Sequence, residues 1–161
     1  SIALQIGSAI GLVSVGVNKA ITPWLIRNYE NDAAILTSYN VFARNASFIL
    51  FLSFFLYLLI EKYLIVLLTL FIDKSHIGFT SHLKWIVLGF ILNGIYLLYL
   101  NILICKRETS VLALITVTSA AIGIFSSYII VVKFDTDFAA LAMTLAFTFL
   151  ASAVALRAQR N

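Results

Sequence analysis

The sequence predicts an all-α, polytopic transmembrane helix bundle of about five spans. Hydrophobic residues fill 62% of the 161 positions and charged residues only 11%, and mean hydropathy is +1.04. A soluble domain of this size could not cover its surface with so few polar groups. The apolar residues also fall in runs of about twenty, the length that crosses a hydrocarbon core as a helix. The ten-residue alternating segments of a transmembrane barrel are absent.

The chain opens at Ser1 inside an apolar run, without Met, and reads as part of a longer chain. No cleavable signal peptide is visible. The first span is expected at residues 2–21. Gly7, Gly11, Ser14 and Asn18 share one stripe there, and Gly7 and Gly11 form a GxxxG pair suited to close helix contact. Thr22-Pro23 is expected to end or kink this helix. A polar loop over 23–38 would follow, with Arg27, Asn28, Glu30, Asn31 and Asp32.

The second span is expected at 40–60. It begins with Asn40, Arg44 and Ser47 at helical spacing, continues as FILFLSFFLYLLI, apolar all round like a lipid-facing surface, and closes at Glu61-Lys62. Residues 64–72 are apolar but too few to span, so an interfacial or re-entrant segment is expected. A polar loop to Lys84 carries His76 and His82.

The third span, 85–104, runs from Trp85 to the pair Lys106-Arg107 and holds Asn93, Gly94, Tyr96, Tyr99 and Asn101. In hydrocarbon each polar group there needs a partner or a wet cavity. The fourth span, 110–132, has a small-residue stripe of Thr116, Ala120, Gly123 and Ser127, with Ser119/Gly123 and Gly123/Ser127 as small-xxx-small pairs. A short connection then makes an antiparallel hairpin with the fifth, 138–156, where Ala139, Ala142, Ala146 and Ala153 share a side.

Alternating the loops between two sides gives a charge asymmetry. One side holds seven bases (Lys19, Arg27, Arg44, Lys106, Arg107, Arg157, Arg160) against Glu30, Asp32 and Glu108. The other holds four (Lys62, Lys74, Lys84, Lys133) against Glu61, Asp73, Asp135 and Asp137. The positive-inside rule puts the first side, and with it the C-terminus, in the cytoplasm. It also accounts for the net charge of +4 without a nucleic-acid partner.

Catalytic constellations are missing: no HExxH, no GxSxG, no Cys/His cluster and no Gly-rich phosphate loop. The reading is therefore a non-enzyme with no cofactor. His76 and His82 read as solvated or interfacial, with a metal pair as the alternative. Asp135 and Asp137 read as N-terminal caps of the fifth helix, with cation binding as the alternative. Cys105 reads as inert, with acylation as its alternative. Trp24, Tyr57, Tyr63 and Trp85 read as interface-belt residues. Lys19 and Arg44 lie near one end of their spans, Arg44 about one turn in. They either snorkel to the headgroups or face a cavity. The candidate substrate path is Arg44, Lys19, Asn18, Asn40, Asn93, Tyr96 and Asn101; for Asn93 and Asn101, interhelical hydrogen bonding is the competing role. The candidate packing positions are Gly7, Gly11, Gly94 and Gly123.

Four stretches resemble the C-terminal part of the O-antigen and polysaccharide flippases, in the superfamily of multidrug and lipid-linked oligosaccharide exporters. They are VNKAITPWLIR (17–27), LNGIYLLYLN (92–101), KRETSVLALIT (106–116) and KFDTDFAALAMT (133–144). Asp135 and Phe138 stand where that family's last pattern has glycines, and Gly123 and Ser127 where asparagines are frequent. The resemblance implies two six-helix halves around a cavity opening alternately to each side, this chain forming most of the second half. It further implies movement of an undecaprenyl-diphosphate-linked oligosaccharide across a bacterial inner membrane, coupled to an ion gradient. The competing readings are a small-molecule or drug exporter of the same superfamily, an intramembrane glycan polymerase or transferase, and a non-transporting membrane subunit. The enzyme reading would need a large hydrophilic loop carrying acids or bases, and the polar loops expected above are short, the longest being the sixteen residues over 23–38.

Overall fold

A computed structural model describes residues 2–30, 32, 34–71, 80–134 and 139–160. Five helices follow one another: α1 (Ile2–Tyr29), α2 (Ala34–Phe71), α3 (Thr80–Cys105), α4 (Thr109–Phe134) and α5 (Ala139–Gln159). Each is long and apolar enough to cross a membrane, and no strand occurs among the described residues. The chain is thus an all-helical bundle with the character of a multi-pass membrane protein.

The bundle is built around α3. Its apolar window is 67% buried, against 6–28% for the other four. A helix enclosed on every side must be apolar all round, and the run from Trp85 to Ile104 supplies that. α3 packs on α5 and α1 most extensively and then on α2; α4 holds to α5 and barely touches α3. The core is Ile86, Ile91, Ile95, Leu98, Ile102 and Leu103 of α3 with Leu25, Ala43, Ala151 and Val154 of its neighbours.

Helices run further than the sequence reading allowed; α3 begins at Thr80, so residues 80–84 of the loop expected to end at Lys84 are helix. α1 passes through Thr22-Pro23 to Tyr29, so most of the loop expected at 23–38 is helix. Pro23 has no N–H for the carbonyl four residues back. The Thr22 hydroxyl lies 2.7 Å from the neighbouring Asn18 carbonyl, and Leu25, one turn on, is wholly buried in the core. Packing of this kind carries the helix on past its proline, while the Thr22 bond goes to the Asn18 carbonyl and not to the Lys19 carbonyl that Pro23 leaves free. α2 continues past Glu61-Lys62 to Phe71, so residues 64–71 extend the second helix and are not a separate segment. Nothing between Ala34 and Phe71 is Gly or Pro, and two charges do not stop a helix. At about 1.5 Å per residue, its 38 residues reach about 57 Å. Its Phe-rich part is also not uniformly outward: Leu50, Phe54 and Tyr57 pack against the core, whereas Phe48, Phe55 and Leu59 are exposed.

The predicted small residues mark real contacts, with one change of face. A Cβ on Gly7 would lie 2.5 Å from Ile86 and 2.6 Å from Phe90, and one on Gly11 would lie 2.7 Å from Phe90. The GxxxG pair is therefore a socket for the Phe90 ring. A Cβ on Gly94 would lie 2.9 Å from the Ser14 hydroxyl, and one on Gly123 3.2 Å from Ala146. On α4, however, Thr116 and Ala120 are exposed; Ser119, Gly123 and Ile130 face inward. Small residues occur all round α4, so their spacing alone does not select the packed side. Ser119 Oγ donates to the Ala146 carbonyl at 2.8 Å, which fixes the face by chemistry. On α5, Ala142 is wholly buried, and Ala146 and Ala153 are half-buried.

Candidate functional site

The loops between α1 and α2 and between α3 and α4 meet the C-terminus of α5 at one end of the bundle. Each is shaped by local chemistry. Asp32 caps α2, its Oδ1 accepting the Ala34 N–H at 2.8 Å. α3 ends in a Schellman motif: the Glu108 N–H donates to the Leu103 carbonyl and the Arg107 N–H to that of Ile104, both at 3.0 Å. The left-handed residue this motif requires is Arg107, with φ 56°, where glycine is usual.

Charged groups tie this end together. Lys106 Nζ donates to the carbonyls of Ala158 and Arg160, at 3.1 and 2.9 Å, neutralising the negative C-terminal end of α5. Arg157 Nε pairs with Glu108 Oε2 at 2.6 Å. The Arg157 hydrogen bond holds the Glu108 carboxyl below its ordinary pKa, with the positive charges of Arg157 and Lys106 adding to the effect. Between the loops opens a cleft of about 570 Å³ lined by Tyr29, Glu30, Asp32, Cys105, Lys106 and Arg107, among others. Tyr29 and Lys106 also wall a second cavity of about 240 Å³, which reaches Thr37 and Asn40.

Asn101 is the centre of the site. It is 1% exposed in a helix that is otherwise almost wholly apolar. Its Nδ2 donates to Asn18 Oδ1 at 2.7 Å and to the Tyr39 hydroxyl oxygen at 3.1 Å. Tyr39 donates in turn to the Leu98 carbonyl at 3.1 Å. The Thr22 hydroxyl lies 2.8 Å from Asn101 Oδ1 and 2.7 Å from the Asn18 carbonyl, and its single proton serves either. Both Asn101 amide protons and its carbonyl oxygen thus have partners on two other helices. Among the described residues no buried side-chain polar atom is left unsatisfied, as a buried network requires.

Of the seven path candidates, the structure joins Asn18 and Asn101 directly, and Asn40 lies beside the second cavity. Asn93 and Tyr96 are half-buried elsewhere on α3 and are not in this network. Lys19 and Arg44 are exposed on α1 and α2, without a hydrogen-bond or ion-pair partner among the described residues. Because α2 begins at Ala34, Arg44 is ten residues along it, about 15 Å, instead of one turn in. Lys19 is likewise ten residues before Tyr29, the end of α1. Asn40, Arg44 and Ser47 do share a side, but the Ser47 hydroxyl bonds its own helix at the Ala43 carbonyl, 2.7 Å away.

Tyr39, Thr22, Lys106 and Arg107 belong to the site and are not among the sequence's path candidates, although Thr22-Pro23 and Lys106-Arg107 are marked there as helix ends. Thr22 stands four residues from Asn18, the helical spacing that was available as a signal. His82 is half-buried, and no group of three metal-ligating side chains occurs among the described residues. Asn31, His76, Asp135, Asp137 and Phe138 lie outside the described residues. Cys105 is buried and forms no disulfide. No protein-family model, curated protein or solved structure matches the chain.

Proposed function

We propose that the chain is part of a bacterial inner-membrane transporter that moves an undecaprenyl-diphosphate-linked oligosaccharide across the bilayer by alternating access, with its C-terminus in the cytoplasm. The observation carrying this reading is the polar knot around Asn101 lying inward of a cleft lined by Lys106 and Arg107. A diphosphate headgroup crossing hydrocarbon needs fixed positive charge and neutral hydrogen-bonding groups along its route. Lys106 and Arg107 supply charge at the mouth. Asn40 and the Asn101 group supply neutral partners further in, and Lys19 and Arg44 supply charge on the flanks. The four flippase-like stretches support the same reading. Gly7, Gly11, Gly94 and Gly123 each sit against a neighbouring helix, which suits closely packed helices that rock against one another.

A non-transporting membrane subunit is the second reading, favoured by the complete satisfaction of the Asn101 network. Arg44 separates the two. In cells lacking their own flippase, transfer of lipid-linked glycan to the periplasm is measured with membrane levels matched. A transport role predicts partial activity for Arg44→Lys, since charge is kept while bidentate phosphate geometry is lost, and none for Arg44→Glu. Wild-type transfer by Arg44→Glu would reduce Arg44 to a membrane anchor. No transfer by the parent chain would remove the flippase reading itself.

A further inference from the structure

α1 and α2 both lean on α3 and touch each other little, which leaves a furrow between them. Two apolar cavities fill it. One, about 370 Å³, is walled by Ile21 and Trp24 of α1 and Ile35, Ser38, Tyr39 and Phe42 of α2. The other, about 250 Å³, shares Phe42 and continues between Val17 and Leu50 over a floor of Gly94 and Leu98. From Ser38 to Leu50 the furrow runs twelve residues of α2, about 18 Å at 1.5 Å per residue. One leaflet of a ~30 Å hydrocarbon core is about 15 Å deep.

The furrow is chemically graded along that length. At its mouth Trp24, 56% exposed, also walls a wider concavity of about 560 Å³ with Pro23, Arg27 and Asn28. Arg27 is exposed there, and its planar guanidinium fork suits phosphate oxygens; Asn28 gives one Nδ2 proton to the Trp24 carbonyl at 2.7 Å and keeps the other. Ser38 comes next, about one turn into α2. Its hydroxyl is exposed and makes no hydrogen bond among the described residues. Beyond Ser38 the walls are hydrocarbon except for Tyr39, Ser14 and Asn18, whose hydroxyls and Oδ1 are hydrogen-bonded within the bundle. The nearby acids Glu30 and Asp32 line the other cleft, with Lys106 and Arg107, and neither lines this mouth. Charge, hydroxyl and hydrocarbon succeed one another in the order of phosphate, ester and acyl chain.

We propose that this furrow binds one chain of an anionic phospholipid, with the phosphate at Arg27 and Asn28 and the ester region at Ser38. The site rests on the membrane character of the bundle and is independent of the transport reading. Charge complementarity at the mouth selects the anionic lipid over a zwitterionic one, whose tail would fit equally well.

Trp24 reports on the site. The chain has two tryptophans, so Trp85→Phe leaves Trp24 as the sole emitter. The full chain carrying that change is reconstituted in phosphatidylcholine vesicles doped with brominated phosphatidylglycerol or brominated phosphatidylcholine. The expected result is about fivefold stronger apparent binding of the brominated phosphatidylglycerol, the preference one basic residue gives at an anionic lipid. Arg27→Gln should abolish the preference, and Ala46→Phe, which fills the deeper cavity, should weaken quenching by the anionic lipid. Circular dichroism and elution volume confirm that each variant is folded; Arg27 is exposed, so its replacement spares the core. Equal quenching by the two lipids overturns the proposal, as does a preference that survives Arg27→Gln. Quenching unchanged by Ala46→Phe overturns the chain-binding furrow. Loss of the preference to inorganic phosphate at constant ionic strength would mark a free-anion site and overturn it too.

Discussion

Replacing Asn101 by leucine removes the amide while keeping the side chain's approximate bulk. Three interhelical hydrogen bonds disappear: to Asn18, to Tyr39 and from Thr22. Interhelical hydrogen bonds in membranes average about 0.6 kcal/mol, with a maximum near 1.7, so the loss lies between about 2 and about 5 kcal/mol. The lower figure is expected. Tyr39 keeps the Leu98 carbonyl as its acceptor and Thr22 keeps the Asn18 backbone carbonyl, so the Asn18 side-chain Oδ1 is the main group left without its donor. Equilibrium unfolding in mixed detergent micelles, followed by circular dichroism, measures the change. Tyr39→Phe alone should lower stability by about 1 kcal/mol, and the double variant should show a coupling of about 0.6 kcal/mol. Asn101→Leu as stable as the parent would refute the reasoning, as would strict additivity with Tyr39→Phe, because either would mean these bonds do not hold the three helices together.

Three further outcomes follow from the packing and the loops. Gly123→Leu should unfold more readily than Phe55→Leu by about 1–3 kcal/mol, since overpacking a tight site costs that much; Gly123 faces Ala146, whereas Phe55 is exposed, and the same unfolding assay decides. Arg107→Gly should hold or raise stability by up to about 1 kcal/mol by relieving the left-handed residue, while lowering transport if its charge serves the cleft; Arg107→Val should be the less stable. The Glu108 carboxyl has its pKa lowered by Arg157. Its ion pair should therefore stabilise the fold above the ordinary carboxylate range and lose that effect as pH falls through the lowered value; Glu108→Gln should flatten this acid limb of a stability–pH profile.

The spans were legible in the sequence because apolar length alone decides them. Their ends were less so. Pro23 and the Glu61-Lys62 pair are local signals for stopping, and both were overridden, one by the burial of Leu25, the other by an unbroken run of helix-compatible residues. The depth of Arg44 changed with those ends, since its place along α2 depends on where α2 begins. Asn18 and Asn101 were each visible as polar residues in apolar runs. Their pairing was not, because 83 residues separate them and only the packing of α1 on α3 brings them together. The inward face of α4 was ambiguous for a related reason: several of its sides carry small residues, and one serine bonded to Ala146 made the choice.

The order of the Asn101 partners along the chain bears on biosynthesis. Asn18, Thr22 and Tyr39 all precede Asn101 in sequence, on the first two helices. Chains emerge N-terminus first, so when the third helix leaves the translocation machinery its acceptors and donors are already in the bilayer. A membrane-buried amide need not wait for a later helix to arrive, nor be shielded by a chaperone in the meantime. The first three helices can close the Asn101 contacts as a unit, and the hairpin of α4 and α5 then adds its own, among them the Thr144 hydroxyl on the Trp85 carbonyl at 2.8 Å. Ribosome-bound intermediates stalled once α3 has cleared the ribosome and entered the bilayer should already resist protease across α1 to α3.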